Sequence, residues 1–178
     1  SGNVASGAGL GGAIRNVNGS LTMYDVRVTG NTASAGGGIY NNDAAFITNS
    51  LVDNNSAVAS GGGIDTTGAA SALTLANVTI SSNLAGNAGG GLLNGKSTVL
   101  QNVTIANNTA NRGGGLGVVG GSTTTTVSNT IIAGNTQTVG GGPDVNGAIQ
   151  SAGYNIVGDT LNSSGWVASD QQNVNPML

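Results

Sequence analysis

Glycine triplets recur at nearly regular intervals along most of this 178-residue chain. With start-to-start spacings of 25, 28, 24 and 27 residues, they stand at Gly36–Gly38, Gly61–Gly63, Gly89–Gly91, Gly113–Gly115 and Gly140–Gly142. A related GGAI sequence ends at Ile14, 25 residues before Ile39. A loosely held period of this size is typical of stacked repeat proteins, in which each repeat buries its apolar face only against its neighbours.

The segments between the triplets contain blocks in which apolar and polar residues alternate. These blocks read LTMYDVRVTGN, AFITNSLVDNN, LTLANVTISSN, TVLQNVTIANN and TTVSNTIIAGN. Alternation of this kind, rich in β-branched residues, is a strand pattern. Gly, Asn, Thr and Ser are all poor helix formers. The sequence therefore predicts an all-β fold.

Alignment of the blocks produces two apolar columns that we expect to stack in the core. The first contains Met23, Ile47, Leu75, Leu100 and Val127, and the second contains Val28, Val52, Ile80, Ile105 and Ile132. Between Leu75 and Val78 the apolar phase slips by one residue. Such a slip would move side chains to the other face of a straight strand, so we expect the chain to bend near Asn77.

Asparagines form two further columns at these bends. One contains Asn49, Asn77, Asn102 and Asn129, and the other contains Asn31, Asn55, Asn83, Asn108 and Asn135. Asparagine tolerates left-handed backbone conformations and bonds its own backbone, which suits corners. Stacked identical amides also form hydrogen-bonded ladders, and we predict such ladders along these columns.

Together these features predict a parallel β-helix of about six coils with three short sheets. Its winding should be right-handed, because parallel crossover connections almost always are. Residues 1–139 form the repeat array with an incomplete first coil, and residues 140–178 form an atypical terminal coil with a cap or tail. Trp166, the single tryptophan, is expected to cover the last coil, as atypical terminal repeats do.

Composition excludes several classes of function. Charged residues make up only 6% of the chain, and the net charge is −3. The four cationic residues, Arg15, Arg27, Lys96 and Arg112, are spread across the coils, whereas nucleic-acid binding needs them clustered. No apolar run approaches the length that spans a membrane. Abundant Gly, Asn, Ser and Thr with little charge indicates an extracellular or cell-surface protein.

No catalytic, cofactor or metal site is predicted from the acidic residues. The chain has no His, and its seven acids are all Asp. In the aligned repeats, Asp25 and Asp53 are separated by about 13 Å along the strand direction. Asp65 and Asp144 share a column but lie three coils apart, about 14 Å. Neither pair can act on one bond, and no stripe of aromatic residues for sugar stacking is visible. The sequence predicts a non-enzymatic protein, with a carbohydrate-binding or polysaccharide-active domain as the alternative.

Two motifs resemble those of a known group of repeats. GGAI at Gly11–Ile14 and FITN at Phe46–Asn49 resemble the paired GGAI and FxxN motifs of chlamydial polymorphic outer membrane protein repeats. The later GGGI or GGGL segments, followed by NVTI and NN, are similar to right-handed parallel β-helix repeats of bacterial surface proteins. This resemblance implies secretion, surface display and adhesion-like roles, without common catalytic residues.

The ends of the solenoid suggest its partners. Ser1 aligns within a coil, and the first coil contains no proline or helical segment to block an open β edge. We expect self-association through the coil ends, head to tail into a fibre, or continuation of a larger parent protein. A surface glycan or a receptor is the other expected partner.

Overall fold

The protein is a parallel β-solenoid of about six turns, seen in a computed structural model that describes residues 1–68, 72–120 and 124–178. Within these ranges the chain forms short strands and no helix, and every paired strand runs parallel to its neighbours. The predicted all-β parallel fold is therefore confirmed. Five coils contribute one strand to every sheet, whereas the terminal part of the chain contributes to only some of them.

Four sheets surround a single core. The first contains β1 (Ile14–Asn16), β5 (Ile39–Asn41), β9 (Ile64–Thr66), β13 (Leu92–Asn94), β17 (Leu116–Val118), β21 (Val145–Ala148) and β24 (Ser163–Ser164). The second contains β2 (Leu21–Tyr24), β6 (Ala44–Thr48), β10 (Ala72–Ala76), β14 (Ser97–Gln101), β18 (Thr125–Ser128) and β22 (Gln150–Gly153). The third contains β3 (Arg27–Thr29), β7 (Leu51–Asp53), β11 (Thr79–Ser81), β15 (Thr104–Ala106), β19 (Ile131–Ala133), β23 (Ile156–Val157) and β25 (Gln171–Gln172). The fourth contains β4 (Thr32–Ala33), β8 (Ser56–Ala57), β12 (Leu84–Ala85), β16 (Thr109–Ala110) and β20 (Thr136–Gln137).

The expectation of three sheets was wrong, because the fourth sheet is built from strands of only two residues. These strands follow the buried asparagine column directly, as in Ser56–Ala57 after Asn55. Two residues cannot show a period-2 pattern, and the inward one is usually alanine, so the segment reads as a polar loop in the sequence.

The apolar columns lie inside the solenoid. Relative exposure is 5% at Met23, 4% at Val28 and 0% at the other eight members, which are Ile47, Leu75, Leu100, Val127, Val52, Ile80, Ile105 and Ile132. Each side chain stacks on its equivalent in the next coil, as Ile80 does on Ile105 in the parallel register. The core is therefore a continuous set of aliphatic stacks.

Two corners of each coil turn at left-handed residues, in addition to the first glycine of the triplet. The corner between the second and third sheets has φ between 49° and 61° at Asp25, Asn49, Asn77, Asn102, Asn129 and Tyr154. The corner after the third sheet has its left-handed residue at Gly30, Asn54, Ser82, Asn107 or Gly134. The buried asparagine is the next residue in the chain. Its side chain points into the solenoid, and the left-handed residue before it makes the bend.

Each glycine of an inner triplet occupies a position that a larger side chain would strain, as Gly89–Gly91 illustrates. Gly89 has a φ of 64°. A Cβ on Gly90 would overlap the carbonyl oxygen of Gly114 in the next coil, and one on Gly91 would lie 3.0 Å from Nδ2 of Asn108. A side chain at any of these positions would strain the backbone or push the coils apart.

The two ends of the solenoid differ. β1, β2 and β3 are the terminal strands of the first three sheets at one end, and Gly2 N donates to Thr29 O of β3 at 3.2 Å. At the other end, the chain after β23 continues the winding in a shortened coil, in which β24 and β25 pair in parallel with β21 and β23. Ile149 N donates to Ser164 O at 2.9 Å and Ser151 N to Gly165 O at 3.1 Å. Trp166 packs against the core cluster, and its Nε1 donates to Ser163 Oγ at 2.9 Å.

Candidate binding face

The outward surface of the second sheet is built from strands that alternate between core and solvent, in register except for a shift between Val127 and Ser128 where β18 pairs with β22. In β6, Ala45 and Ile47 point inward and are buried, whereas Phe46 between them is exposed. We call the set of outward side chains the uncharged face. It consists of Ala44, Ala72 and Ser97; Thr22, Phe46, Thr74, Val99, Thr126 and Gln150; and Tyr24, Thr48, Ala76, Gln101 and Ser128.

None of these described outward positions carries a charge. Charged residues stand only at its borders: Asp43 and Lys96 precede β6 and β14, and Asp25 follows β2. Six strands at ~4.8 Å give the face a length of about 24 Å, and five residues at ~3.3 Å give it a width of about 13 Å. A surface of this size and neutrality differs from the charged exteriors usual in soluble domains.

Two aromatic rings are exposed on adjacent strands of the uncharged face. Tyr24 is 69% exposed and Phe46 is 53% exposed. Phe46 lies directly beside Thr22, and Thr48 lies beside Tyr24. The two aromatic residues are therefore diagonal neighbours about 8 Å apart, from the strand spacing and the rise of two residues. The sequence analysis did not find this pair, although the alternation already placed positions 22, 24 and 46 on the outward phase.

The inner asparagine column forms a continuous buried ladder. Side-chain Nδ2 atoms donate to Oδ1 of the next coil at 2.9 Å (Asn31 to Asn55), 3.0 Å (Asn55 to Asn83), 2.9 Å (Asn83 to Asn108) and 3.0 Å (Asn108 to Asn135). The backbone N of each donor also donates to the same Oδ1 at 2.9–3.0 Å. These residues support the fold and are not available to a ligand.

The outer asparagine column is exposed. Asn77 Nδ2 donates to Asn49 Oδ1 at 3.0 Å, and Asn102 Nδ2 donates to Asn77 Oδ1 at 3.1 Å. Asn129 occupies the same corner with a φ of 49°. The direction of donation is opposite to that of the inner ladder. Because these amides face water, their mutual hydrogen bonds compete with solvent and contribute little to stability.

The inner ladder ends at a carboxylate. Asp144 Oδ1 accepts from Asn135 N at 2.9 Å and from Asn135 Nδ2 at 2.8 Å, and its Oδ2 accepts from Asp159 N at 2.8 Å. An ionised carboxylate only accepts hydrogen bonds. Asp144 therefore satisfies the backbone N and Nδ2 donors of Asn135 without adding a donor that needs a partner of its own. Burial raises the pKa of Asp144, against the hydrogen bonds from Asn135 that act to lower it.

The predicted column shared by Asp65 and Asp144 was wrong. Leu116 pairs with Val145 and Gly117 with Asn146, so Asn146 occupies the Asp65 column and Asp144 occupies the position of the third triplet glycine. The last triplet is displaced by two residues relative to the earlier ones. A sequence alignment that matches glycine to glycine cannot detect this, because the residue that replaces Gly115 in the next coil is an acid.

A second carboxylate closes the tail in the same way. Asp170 Oδ1 accepts from the backbone N and Nδ2 of Asn155, each at 3.0 Å, and Oδ2 accepts from Val167 N at 2.8 Å. Burial acts to raise the pKa of Asp170, but its hydrogen bonds from Val167, Ser151 and Asn155 outweigh burial and lower the pKa. Both carboxylates fasten the terminal segment to the last coil.

A cleft of about 330 Å³ lies beside the end of the inner ladder, lined among others by Asp144, Asp159 and Pro176. The sequence analysis did not bring Asp144 and Asp159 together, because the fold of the tail decides their proximity. Asp144 uses both oxygens as described, and Asp159 Oδ1 accepts from Leu161 N at 2.7 Å. Both carboxylates of the cleft therefore already hold the backbone in place.

The other acids that the sequence analysis considered serve local roles. Arg27 Nη2 donates to Asp53 Oδ2 at 2.7 Å and Arg27 Nε to Asp53 Oδ1 at 3.1 Å, and these bonds lower the pKa of Asp53. Asp25 lies at a corner of the second sheet. In the described ranges, no three His, Cys, Asp or Glu side chains come together as a metal site. No helix in the same ranges is long and apolar enough to cross a membrane.

Comparison with known proteins adds no relative to this description. No family model matches the chain, and neither a curated protein nor a solved structure is significantly similar to it.

Proposed function

We propose that the protein is a non-catalytic structural and adhesion module of the extracellular space or cell surface, and that it attaches to its partner through the uncharged face. The observation that carries this proposal is the neutral outward surface of the second sheet, with exposed Tyr24, Phe46 and Val99. Contiguous exposed apolar patches often mark interaction sites on soluble proteins. The stacked coils hold this surface rigid, so little ordering entropy is lost on attachment.

We also propose that the protein has no catalytic role. The support is that its buried acids are engaged in structural hydrogen bonds and in one ion pair. General acid–base chemistry needs a titratable group that can exchange a proton with a substrate. Asp144 and Asp170 instead end hydrogen-bonded networks, and Asp53 is held by Arg27. The cleft beside Asp144 and Asp159 is the feature that favours the alternative of a polysaccharide-active domain.

An extracellular location agrees with the charge content of 6% and the abundance of Gly, Asn, Ser and Thr. A solenoid of aliphatic stacks and amide ladders needs no disulfide, cofactor or metal to hold it together. We therefore expect the protein to remain folded outside the cell, where solution conditions vary.

We also propose axial association, supported by the edge strands β1 and β2 at one end of the molecule and β24 and β25 at the other. The partner is either a preceding part of a longer parent protein or a second copy. Because β24 and β25 pair on one side only, they offer an open edge on which the first strands of another copy can stack head to tail. Two copies meeting through the same edge would instead form a closed pair.

An adhesion assay tests the main proposal. Purified protein is incubated with cellulose particles, polygalacturonate gel and collagen-coated beads, and bound protein is measured by depletion. The test variant carries Val99→Lys and Gln101→Lys, which charge the middle of the uncharged face. The matched control carries Thr79→Lys and Leu84→Lys, which add the same charge to exposed positions of the third and fourth sheets.

We expect adhesion to at least one of these surfaces, reduced about tenfold in the test variant and unchanged in the control, since burying two unpaired charges costs more than ~1.4 kcal/mol. Adhesion to none of the surfaces, or equal loss in both variants, would contradict the proposal. Release of soluble sugar products during incubation would instead support the polysaccharide-active alternative.

A further inference from the structure

Tyr24 and Phe46 stand together at one end of the uncharged face, with small residues around them. In register with Phe46 are Thr22 on one side and Thr74 on the other. Along its own strand, the next outward residues are Ala44 and Thr48. None of these side chains is large enough to cover a phenyl ring, which accounts for its 53% exposure.

From this arrangement we infer that Tyr24 and Phe46 form a stacking site for the pyranose rings of a neutral glycan chain. The inference rests on the proposed function and names the partner of the same face. An aromatic ring has a negative face, and the axial C–H groups on one side of a pyranose ring present weakly positive hydrogens to it. Exposed rings on backbone positions about 8 Å apart can contact two separate sugar units of one chain.

The polar residues around the rings suit sugar hydroxyls. Thr22, Thr48 and Thr74 flank the pair, and a threonine hydroxyl both donates and accepts a hydrogen bond. Ligand sites combine an apolar surface with a few polar groups that fix orientation, and this part of the face has both.

The charge distribution selects a neutral glycan over an acidic one. A polysaccharide of uronic acids needs cations opposite its carboxylates. The uncharged face provides none at its described positions, and Asp25 stands directly beside Tyr24. Asp43 precedes β6 at the other border of the site. Both would repel a polyanion.

Binding to neutral and acidic polysaccharide tests the inference. The probes are cellohexaose and insoluble cellulose as neutral glycans, polygalacturonate as an acidic glycan, and phenyl-derivatised agarose as an apolar surface without sugar. The variants are Tyr24→Ala, Phe46→Ala, Phe46→Leu and Phe46→Trp. Phe46→Leu keeps an apolar side chain without a ring, and Phe46→Trp keeps a ring.

Tyr154→Asn is the matched control. Tyr154 is 75% exposed, and it has a φ of 61° in the corner column where other coils have asparagine. This substitution removes an exposed aromatic ring several coils away without strain. All the altered side chains point outward, so we expect every variant to fold. Circular dichroism of each variant checks this.

We expect cellulose binding to fall about tenfold in Tyr24→Ala, Phe46→Ala and Phe46→Leu, and to persist in Phe46→Trp and Tyr154→Asn. Wild-type binding to polygalacturonate or phenyl agarose alone, or undiminished binding of Phe46→Leu, would overturn the inference. If the wild type adheres to collagen-coated beads through the uncharged face but not to cellulose, the proposed function stands and this inference fails. If it adheres to nothing, both fail.

Discussion

A single ladder asparagine satisfies several buried groups at once. Asn108 Oδ1 accepts from the backbone N and Nδ2 of Asn83, both at 2.9 Å. Its own Nδ2 donates to Asn135 Oδ1 and to Ile80 O, both at 3.0 Å. No other side chain of this size has an acceptor and two donors in this geometry. The residue is therefore fixed by the interior and not by a ligand.

Removing this amide should destabilise the protein. In Asn108→Ala, the buried donors of Asn83 lose their acceptor, and we expect the free energy of unfolding to fall by at least about 1–3 kcal/mol. The matched variant is Gln101→Ala, which removes an exposed amide from β14 and should cost less than about 0.5 kcal/mol. Urea denaturation measures both. Equal stability of the two variants would show that the ladder does not hold the coils together.

Asp65 gives a prediction for pH. Its side chain is buried, and burial raises its pKa despite hydrogen bonds to Oδ1 from Thr67 N at 3.0 Å and Thr67 Oγ1 at 2.7 Å. The folded state therefore holds this proton more tightly than the unfolded state. It follows that stability declines as pH rises from the unfolded pKa, ~3.9, through the raised folded value.

Asp65→Asn removes this decline while its Oδ1 can still accept from Thr67. We expect the variant to be at least as stable as the wild type at pH 7 and to show a flatter stability profile above pH ~4. Thermal melting across this pH range makes the measurement. A variant that is markedly less stable than the wild type at pH 7 would mean that the charged carboxylate of Asp65 stabilises the folded state.

At the scale of a strand, the alternation decides which side chains matter. In β11, Ile80 has 0% exposure and its neighbour Thr79 is exposed. Ile80→Ala should lower the free energy of unfolding by about 2–5 kcal/mol, because it leaves a cavity between stacked aliphatic side chains. Thr79→Ala should cost under ~1 kcal/mol. Similar losses at both positions would contradict the assignment of inward and outward faces.

The elements that could be predicted from the sequence are those with a repeated pattern. The phase slip at Asn77 predicted a bend, and Asn77 has a left-handed φ of 56° between β10 and β11. The fourth sheet was missed because its strands are too short to alternate. Asp144 occupies the column of the third triplet glycine and also accepts the hydrogen bonds that a ladder asparagine accepts in the earlier coils. Because neither column contains another acid, the aligned sequence did not reveal its position.

The candidate site was missed for a related reason. Tyr24 and Phe46 belong to different columns, so neither column looks aromatic when read down the repeats. They become neighbours only when the register between β2 and β6 is known together with the outward phase. Contacts that run diagonally across coils depend on three-dimensional register and cannot be read from column alignment alone.

At the scale of the whole molecule, the two ends have different chemistry. One end presents the edges of β1 and β2, with half-buried Ile14 and Leu21 against the core, and Gly2 N donates to Thr29 O of β3 at 3.2 Å. The other end presents the edges of β24 and β25, fastened to the preceding coil by the carboxylates of Asp144 and Asp170. Open edges at both ends favour the head-to-tail stacking that the sequence suggested.

Analytical ultracentrifugation tests this expectation over a range of protein concentrations. We expect species that grow with concentration, since head-to-tail stacking leaves an open edge on every added copy. Leu21→Lys should shift the equilibrium to monomer, whereas Leu84→Lys, on the fourth sheet, should not. A monomer at every concentration would contradict axial association, and a dimer that does not grow would indicate a closed pair instead.

Amide chemical-shift mapping shows whether the uncharged face of the second sheet binds a neutral glycan. At 17.0 kDa the chain suits solution NMR, and cellohexaose can be titrated into isotope-labelled protein. We expect shift changes concentrated in β2, β6, β10 and β14, largest around Tyr24 and Phe46. Changes confined to the cleft beside Asp144 and Asp159, or no changes at saturating sugar, would mean that this face does not bind a neutral glycan.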